Sequence, residues 1–308
     1  MDTCHRPKIV NLSMDIEDIY GDEKILDAVL TDLILFLNNH EIPCDLYITG
    51  MRFNIMKANS DLIDLLHSNF IRCGTHTNTH SFMPISCMKN VEEICYYEGN
   101  HFDLSQKEFL INQKSGIHFI ENEFKPDFFR CPGFCWSPDY FKFMKMKNYM
   151  FTTIDIPSER PFKFMGLTIM PVVYKPLEAY QSIRELDEHI SKFDAVSLYL
   201  HPSRLIYDNF WDKKEQRNIH QDLSNRISYL KKIFLHFKEN YKIIFLSELD
   251  NYCIESDLDY LSTDDIIKSM TSKWTWSQLP ASFYSSNQID QIYRENRSLK
   301  GMKMLYEY

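Results

Sequence analysis

The chain has 308 residues, of which 44% are hydrophobic and 14% aromatic, enough to bury one large core. Acidic residues outnumber basic ones, and the formal net charge of −9 argues against nucleic acid or an anionic membrane surface as partners. No window of about 18 consecutive apolar residues occurs, so no membrane span is predicted. The eight cysteines are scattered without a CxxC pair, and the first residues show no export signal. We therefore expect a cytoplasmic protein.

Short apolar runs alternate with longer amphipathic stretches up to about residue 250, which is typical of β/α units around a largely parallel sheet. Strands are predicted at 8–14, 44–50, 70–76, 126–132, 149–155, 194–202 and 241–249. Helices are predicted at 23–39, 62–69, 105–123, 138–147, 177–192 and 215–239. The pattern predicts an α/β barrel or barrel-like sheet over 1–252. A partly helical C-terminal extension is predicted over 253–308, where it packs on the barrel, shields an opening or contacts a second subunit in a homo-oligomer.

Two histidines follow the third predicted strand in the run CGTHTNTH. His76 and His80 are four residues apart, so on a helical turn they share one face and can bind one divalent metal ion. Thr77 stands where a zincin helix would carry its glutamate base, so any base must come from elsewhere. Surface or core histidines can show the same spacing.

Three carboxylates end the first predicted strand, in SMDIEDIY. Asp15, Glu17 and Asp18 repel one another unless they share a cation or a proton, which indicates a metal ligand beside a base. In an extended chain Asp15 and Glu17 project to the same side. An acidic loop that caps the next helix would look the same.

The fourth predicted strand leads into FFRCPGFCW. Arg130 follows an aromatic run where a guanidinium is costly to bury unpaired, and Asp15 is its expected partner. Pro132 and Gly133 force a turn whose N–H groups can act as oxyanion donors. A structural arginine before an ordinary turn is the alternative.

A further histidine ends the strand SLYLHP. Alone, His201 suits a structural role, but opposite a metal site it suits a general acid. Leu198 and Leu200 are expected to line a small pocket for an acyl methyl group.

In chain order, SMDIED, HTNTH, RCPG and LYLHP resemble four motifs of the NodB homology domain of carbohydrate esterase family 4, the polysaccharide deacetylases. A further motif of the family, often an Asp near Trp, is not clear in this sequence. The resemblance runs from about residue 8 to residue 250. It implies a deformed (β/α) barrel and a divalent metal ion, usually zinc. The first motif differs from the common form, which has two adjacent aspartates.

Carried over to these motifs, the resemblance implies that Asp15 is the catalytic base, Arg130 its partner and His201 the general acid. His76 and His80 would be metal ligands, with Glu17 or Asp18 as the third; the spacing favours Glu17 and the usual residue type Asp18. Asp155, after the fifth predicted strand, is considered as a partner for His201.

The resemblance implies hydrolysis of an N-acyl group, acetyl or formyl, from an amino sugar. Without an export signal, an intracellular precursor of surface polysaccharide is the expected substrate. One alternative is hydrolysis of a cyclic amide such as allantoin on the same fold. The other is a non-catalytic barrel that binds saccharide through aromatic residues such as Trp274 and Trp276.

Overall fold

The first strand shows how an alternating sequence forms a barrel wall. Strand β1 (Ile9–Ile16) is buried on both faces along almost its whole length. Its apolar residues pack in the core between the sheet and the helices: Val10, Leu12, Met14 and Ile16. The residues between them, Asn11, Ser13 and Asp15, are also buried. Asn11 and Ser13 bond to the neighbouring strands, and Asp15 bonds to Arg130. Because side chains alternate along a strand, β1 has an apolar outer face and a polar inner face.

This computed structural model describes residues 8–17, 22–77, 116–131, 134, 144–145, 147–154, 158–164, 166–173, 175–207, 222–252 and 259–260. After β1, the strands are β2 (Cys44–Ile48), β3 (Ile71–Thr75), β4 (Phe128–Phe129), β5 (Phe151–Ile154), β6 (Phe162–Phe164), β7 (Leu167–Pro171), β8 (Ala195–Leu200), β9 (Lys242–Ile243) and β10 (Asp259–Tyr260). Their order in the sheet is β10-β6-β7-β5-β4-β3-β2-β1-β8, and β9 pairs with β1. Every pair is parallel except β6–β7.

The curled sheet is joined into a ring just beyond β7. A parallel bridge links Val172 to Ser197 of β8, and the Val173 N–H donates to the Ser197 carbonyl at 3.1 Å. Seven strands, from β7 through β1 to β8, therefore surround one interior, with β6 and β10 outside the ring. This is the deformed (β/α) barrel that the sequence predicted.

The α-helices of the described residues are α1 (Glu23–Asn39), α2 (Gly50–Met56), α3 (Ser60–Leu66), α4 (Gly116–Phe124), α5 (Ile183–Ile190), α6 (Leu223–Asn240) and α7 (Leu249–Tyr252). Helix α1 begins where Asp22 accepts hydrogen bonds from the N–H groups of Lys24 and Ile25, which satisfies two N-terminal donors. One face of α1 is buried against the sheet. None of the described helices combines the length and apolar character needed to cross a membrane.

The lower interior of the barrel, at the amino ends of the strands, is filled by a cluster of apolar side chains. The cluster contains Tyr47, Phe128, Phe151, Met170, Ala195, Ile244, Leu246 and Leu249. Leu246 and Leu249 come from a 3₁₀ turn (Leu246–Glu248) and the short α7 that follows β9. The interior is therefore a packed core that also contains the buried Asn11 and Asp45, while Asp15 and Glu17 lie at the carboxyl end of β1.

Most predicted elements are present, and α1 has the predicted bounds. The sequence analysis missed α2, which begins within the stretch taken as the second strand, and the antiparallel pair β6–β7, which turns at Gly166. In the predicted extension, β10 pairs in parallel with β6. Residues 261–308 lie outside the described residues, so the division at 252 and the helical content beyond it stay predictions.

Candidate active site

The buried ion pair expected between Arg130 and Asp15 is present at the end of β1. Arg130 Nη1 donates to Asp15 Oδ1 at 2.5 Å, and both side chains are almost completely buried. Arg130 follows β4 directly, and its N–H bonds to the Thr75 carbonyl of β3. Its guanidinium lies 3.8 Å from the ring centre of Tyr47. The charge is thus held between one carboxylate and one aromatic face.

Glu17 and His76 meet just past the ends of β1 and β3. Glu17 Oε2 lies 3.3 Å from His76 Nε2, and both side chains are 1% exposed. His76 Nδ1 lies 2.8 Å from the Arg130 carbonyl oxygen. A carbonyl can only accept, so Nδ1 carries a proton and Nε2 is the ring nitrogen that faces Glu17.

This donor set fits a divalent cation. A neutral imidazole nitrogen and a carboxylate oxygen both present lone pairs, so their close approach favours a shared cation or proton. Two ligands at tetrahedral zinc distances are about 3.3 Å apart, close to the separation of Glu17 and His76. The orienting bond from Nδ1 to a carbonyl is the kind that metal-bound histidines make. No group of three metal-binding side chains occurs within the described ranges, from which His80 and Asp18 are absent.

His201 occupies the end of β8 and contacts two glutamates. Its Nδ1 lies 3.0 Å from Glu178 Oε1, and its Nε2 lies 3.5 Å from Glu17 Oε1. Burial lowers the pKa of His201, but the hydrogen bond to Glu178 and the charges of Glu17, Glu178 and Asp15 outweigh it and raise the pKa to about 9. His201 is therefore an imidazolium near neutral pH, with a proton available to donate.

Leu198 and Leu200 do not line the site, which corrects the prediction of an acyl pocket there. Both belong to the core between the sheet and the helices. Because side chains alternate along β8, the residue between them, Tyr199, faces the interior and packs with Phe134 and Val172. The Tyr199 ring lies 5.2 Å from the His201 ring, so this cluster is the apolar surface next to the site.

Five sequence-predicted residues lie outside the described residues: Asp18, His80, Pro132, Gly133 and Asp155. Their proposed roles stay predictions, and so does the choice between Glu17 and Asp18 as the third ligand. Within the described residues, the carboxylate that pairs with His201 is Glu178.

The sequence analysis missed Glu178 and the buried polar residues around Arg130. Glu178 lies in a 3₁₀ turn (Leu177–Ala179) that the sequence shows only as the start of an amphipathic stretch. Its pairing with His201 depends on where this turn packs against β8. The polar residues of β1 did have a signal: Asn11, Ser13 and Asp15 alternate with apolar residues. The same alternation is found in a strand with one solvated face.

Fold and geometry together define a class: a NodB-type barrel with paired acidic, basic and imidazole groups at the carboxyl ends of its strands. The groups Asp15–Arg130, Glu17–His76 and His201–Glu178 come from five separate segments and meet at one end of the ring. Catalytic groups of (β/α) barrels occupy this end.

No family model and no curated protein sequence matches the chain. Among solved structures, a putative polysaccharide deacetylase from Mycobacterium smegmatis is similar over 84% of this chain and 94% of its own, with 12% identity and a TM-score of 0.52. A 4-alpha-glucanotransferase from Thermococcus litoralis is similar over 94% of this chain, with 12% identity and a TM-score of 0.53. This chain spans 46% of that enzyme's length. The resemblance to the polysaccharide deacetylases is confirmed at the level of the fold.

Proposed function

We propose that this chain is a metal-dependent hydrolase that removes an N-acyl group, acetyl or formyl, from an amino sugar. The observation that supports the proposal is that three side-chain pairs lie at one end of the barrel: Asp15–Arg130, Glu17–His76 and His201–Glu178. We assign the first pair to the base, the second to the metal ion and the third to the acid. Amide hydrolysis needs a base to activate water, an electrophile for the carbonyl oxygen and an acid for the leaving amine.

The metal ion proposed is zinc, held by His76 and Glu17, with His80 and Asp18 as the further candidates of the same motifs. A bound divalent cation would supply Lewis-acid chemistry, polarising the acyl carbonyl and lowering the pKa of water. In the residues present, the Nδ1 bond to the Arg130 carbonyl fixes the tautomer that His76 needs as a ligand.

In the proposed reaction, Asp15 accepts a proton from the attacking water. Arg130 bonds to Asp15 Oδ1, so Oδ2 is the oxygen that takes this proton. The Gly133 N–H remains a candidate donor to the oxyanion that forms on the acyl carbonyl. His201 then protonates the nitrogen of the departing amine, which breaks the C–N bond and yields a free amino sugar and a carboxylic acid. Tyr199, Phe134 and Val172 are the proposed surface for the acyl methyl group.

The substrate proposed is an intracellular nucleotide-linked or lipid-linked amino sugar. Cys44 and Cys73 are free and buried, which suits a reducing compartment. The net charge of −9 gives no long-range attraction to polyanions.

The test measures acetate or formate released from N-acylated amino sugars by the purified chain, as isolated, after chelation and after reloading with zinc. Activity that is lost on chelation and regained with zinc is the expected result. Ring opening of allantoin without acyl release from any amino sugar would favour the cyclic-amide alternative. Saccharide binding that survives chelation without any turnover would favour the non-catalytic alternative.

Elemental analysis tests the assignment of the ligands separately. His76→Ala should lose the metal ion, while His67→Ala, a half-exposed histidine paired with Glu123, should keep it. If Glu17 is the third ligand, Glu17→Ala should lower the affinity for the metal ion more than Asp18→Ala. Stoichiometric metal in His76→Ala would remove this site from consideration.

A further inference from the structure

Arg130 has no exposed surface, and four of its N–H contacts are visible inside the barrel. Nε donates to Thr153 Oγ1 at 2.8 Å, and Nη1 donates to Asp15. Nη2 donates to Ser13 Oγ at 2.9 Å and to Ser197 Oγ at 3.2 Å. A buried guanidinium without acceptors is costly, so the direction of these hydroxyl groups matters for the site.

Each of the two serine hydroxyls donates its proton to a group other than Arg130, so its oxygen can accept from the guanidinium. Ser13 Oγ donates to the Leu198 carbonyl at 2.8 Å, which leaves its lone pairs for the guanidinium. Ser197 Oγ donates to Asn11 Oδ1 at 2.8 Å, with the same consequence. The acceptor for Ser13 is a backbone carbonyl, which can only accept. The acceptor for Ser197 is an asparagine amide, and a flip of that amide would present its NH₂ donor instead of its oxygen.

The orientation of Asn11 is fixed by two acceptors on its other side. Its Nδ2 donates to Asp45 Oδ2 at 2.6 Å and to the Ile244 carbonyl at 3.2 Å. A carbonyl cannot donate, and Asp45 Oδ2 already accepts from the Leu246 N–H, so the NH₂ group must face both acceptors and the amide oxygen must face Ser197. Asp45 Oδ2 is itself anchored by the Leu246 N–H at 2.8 Å.

These bonds form a one-way relay, defined here as Asp45, Asn11 and Ser197, that ends on Arg130. All three side chains are completely buried, so water does not offer substitute bonds. If Asn11 were turned over, its NH₂ would face the Ser197 hydroxyl, whose proton would then turn toward Arg130. Two donors would face each other, and the guanidinium would lose one acceptor.

We infer that Asn11 and Asp45 are positioning residues for the base: they hold the Ser197 hydroxyl so that it accepts from Arg130, which in turn orients Asp15. The inference rests on the proposed function for the roles of Asp15 and Arg130. Asp45 is in turn held by the Leu246 N–H, which lies in the 3₁₀ turn that closes the lower barrel.

The first test uses two buried serines. Ser197→Ala should lower kcat roughly tenfold or more, with KM and metal content nearly unchanged, because a displaced base affects the reaction more than binding. Ser203→Ala is the matched control, since Ser203 is equally buried and its hydroxyl has no hydrogen-bond partner within the described residues. Equal kcat values for the two variants would overturn the inference.

The second test changes the other end of the relay. Asn11→Asp removes the donor that faces Asp45 Oδ2 and the Ile244 carbonyl, so kcat should fall at least as far as in Ser197→Ala. An Asn11→Asp variant that is folded by circular dichroism and keeps the kcat of Ser203→Ala would contradict the relay.

A readout without turnover separates this inference from the proposed function. In protein labelled with ¹⁵N in arginine side chains, the signal of the Arg130 Nη2 protons, which bond to Ser197, should exchange slowly in the wild type and in Ser203→Ala. It should shift and exchange faster in Ser197→Ala. If the wild type releases no acyl group, the proposed function fails, while this signal still tests the relay; an unchanged signal in Ser197→Ala would refute it.

Discussion

At the scale of single residues, the site consists of buried polar and charged groups that bond to one another rather than to solvent. Asp15 has Arg130, His201 has Glu178, and Glu17 lies between His76 and His201. Removing one member of such a pair leaves the other buried and uncompensated, which costs more than the pair contributes. Variants at these positions therefore need stability controls beside their activities.

Glu178→Gln is expected to lower kcat by about tenfold or more, because the amide no longer stabilises the imidazolium of His201 or holds its ring by charge. Glu178→Asp should recover part of this loss. Steady-state kinetics on the acylated sugar would measure both variants. Glu188→Gln, on the exposed surface of α5, is the control and should match the wild type. A kcat for Glu178→Gln within twofold of the wild type would show that His201 does not need this partner.

Two neighbouring threonines on β5 offer a matched pair for stability. Thr153→Val removes the acceptor of the Arg130 Nε–H and should cost about 1–3 kcal/mol in the free energy of unfolding. Thr152→Val should be neutral or stabilising, because its buried hydroxyl has no hydrogen-bond partner among the described residues. Urea denaturation would measure both. The reverse order of the two losses would show that the guanidinium takes another acceptor.

At the scale of secondary structure, β3 and β4 pack so closely that only glycine fits at position 74 of β3. A Cβ added to Gly74 would overlap the ring of Phe128, which begins β4 and fills the lower barrel. Gly166, in the β6–β7 turn, differs: its φ is +83° and nothing lies within 4 Å of an added Cβ. The first glycine is required by packing and the second by backbone conformation.

Gly74→Ala should destabilise the fold by about 1–3 kcal/mol, since the overlap must be relieved by moving the ring or the strand. Gly166→Ala should cost about 1 kcal/mol from backbone strain alone. Thermal or urea unfolding would measure both. In Gly74→Ala/Phe128→Leu the losses should be less than additive, because the smaller side chain makes room; strict additivity would contradict a steric cause.

At the scale of the whole molecule, a buried carboxyl group makes the stability of the barrel dependent on pH. Burial raises the pKa of Asp45 from 3.8 to about 7, against hydrogen bonds from the Leu246 N–H and Asn11 that lower it. The folded pKa exceeds the unfolded one, so the contribution of Asp45 to stability is fully present below about pH 4 and is lost as the pH rises to about 7.

Asp45→Asn should remove this dependence, since an amide oxygen can still accept from Asn11 and Leu246 and no ionisation is needed. Above pH 7 the variant should be more stable than the wild type by up to about 4 kcal/mol, and near pH 4 the two should be similar. Urea denaturation across this pH range would compare them. A wild type whose advantage grows toward pH 8 would show that the ionised carboxylate is the stabilising form.

The sequence by itself determined the strand–helix rhythm, the bounds of α1 and the positions of Asp15, Glu17, His76, Arg130 and His201 at the ends of strands. These features follow from local spacing: period 3.6 for a helix, period 2 for a strand, and polar groups where an apolar run stops. The pairing of Arg130 with Asp15 followed from the cost of burying a lone charge.

Only the tertiary structure decided which carboxylate pairs with His201, which face of β8 lines the barrel, and how Asn11, Ser197 and Asp45 reach Arg130. Leu198 and Leu200 show the difference, because their apolar character gives no indication of which side of the sheet they cover. The β6–β7 hairpin was missed because its strands are only three and five residues long, too short for a clear alternation. The contacts of Glu178 and of the relay join residues far apart in the sequence, and a strand's alternation fixes two faces without saying which one the closed barrel turns inward.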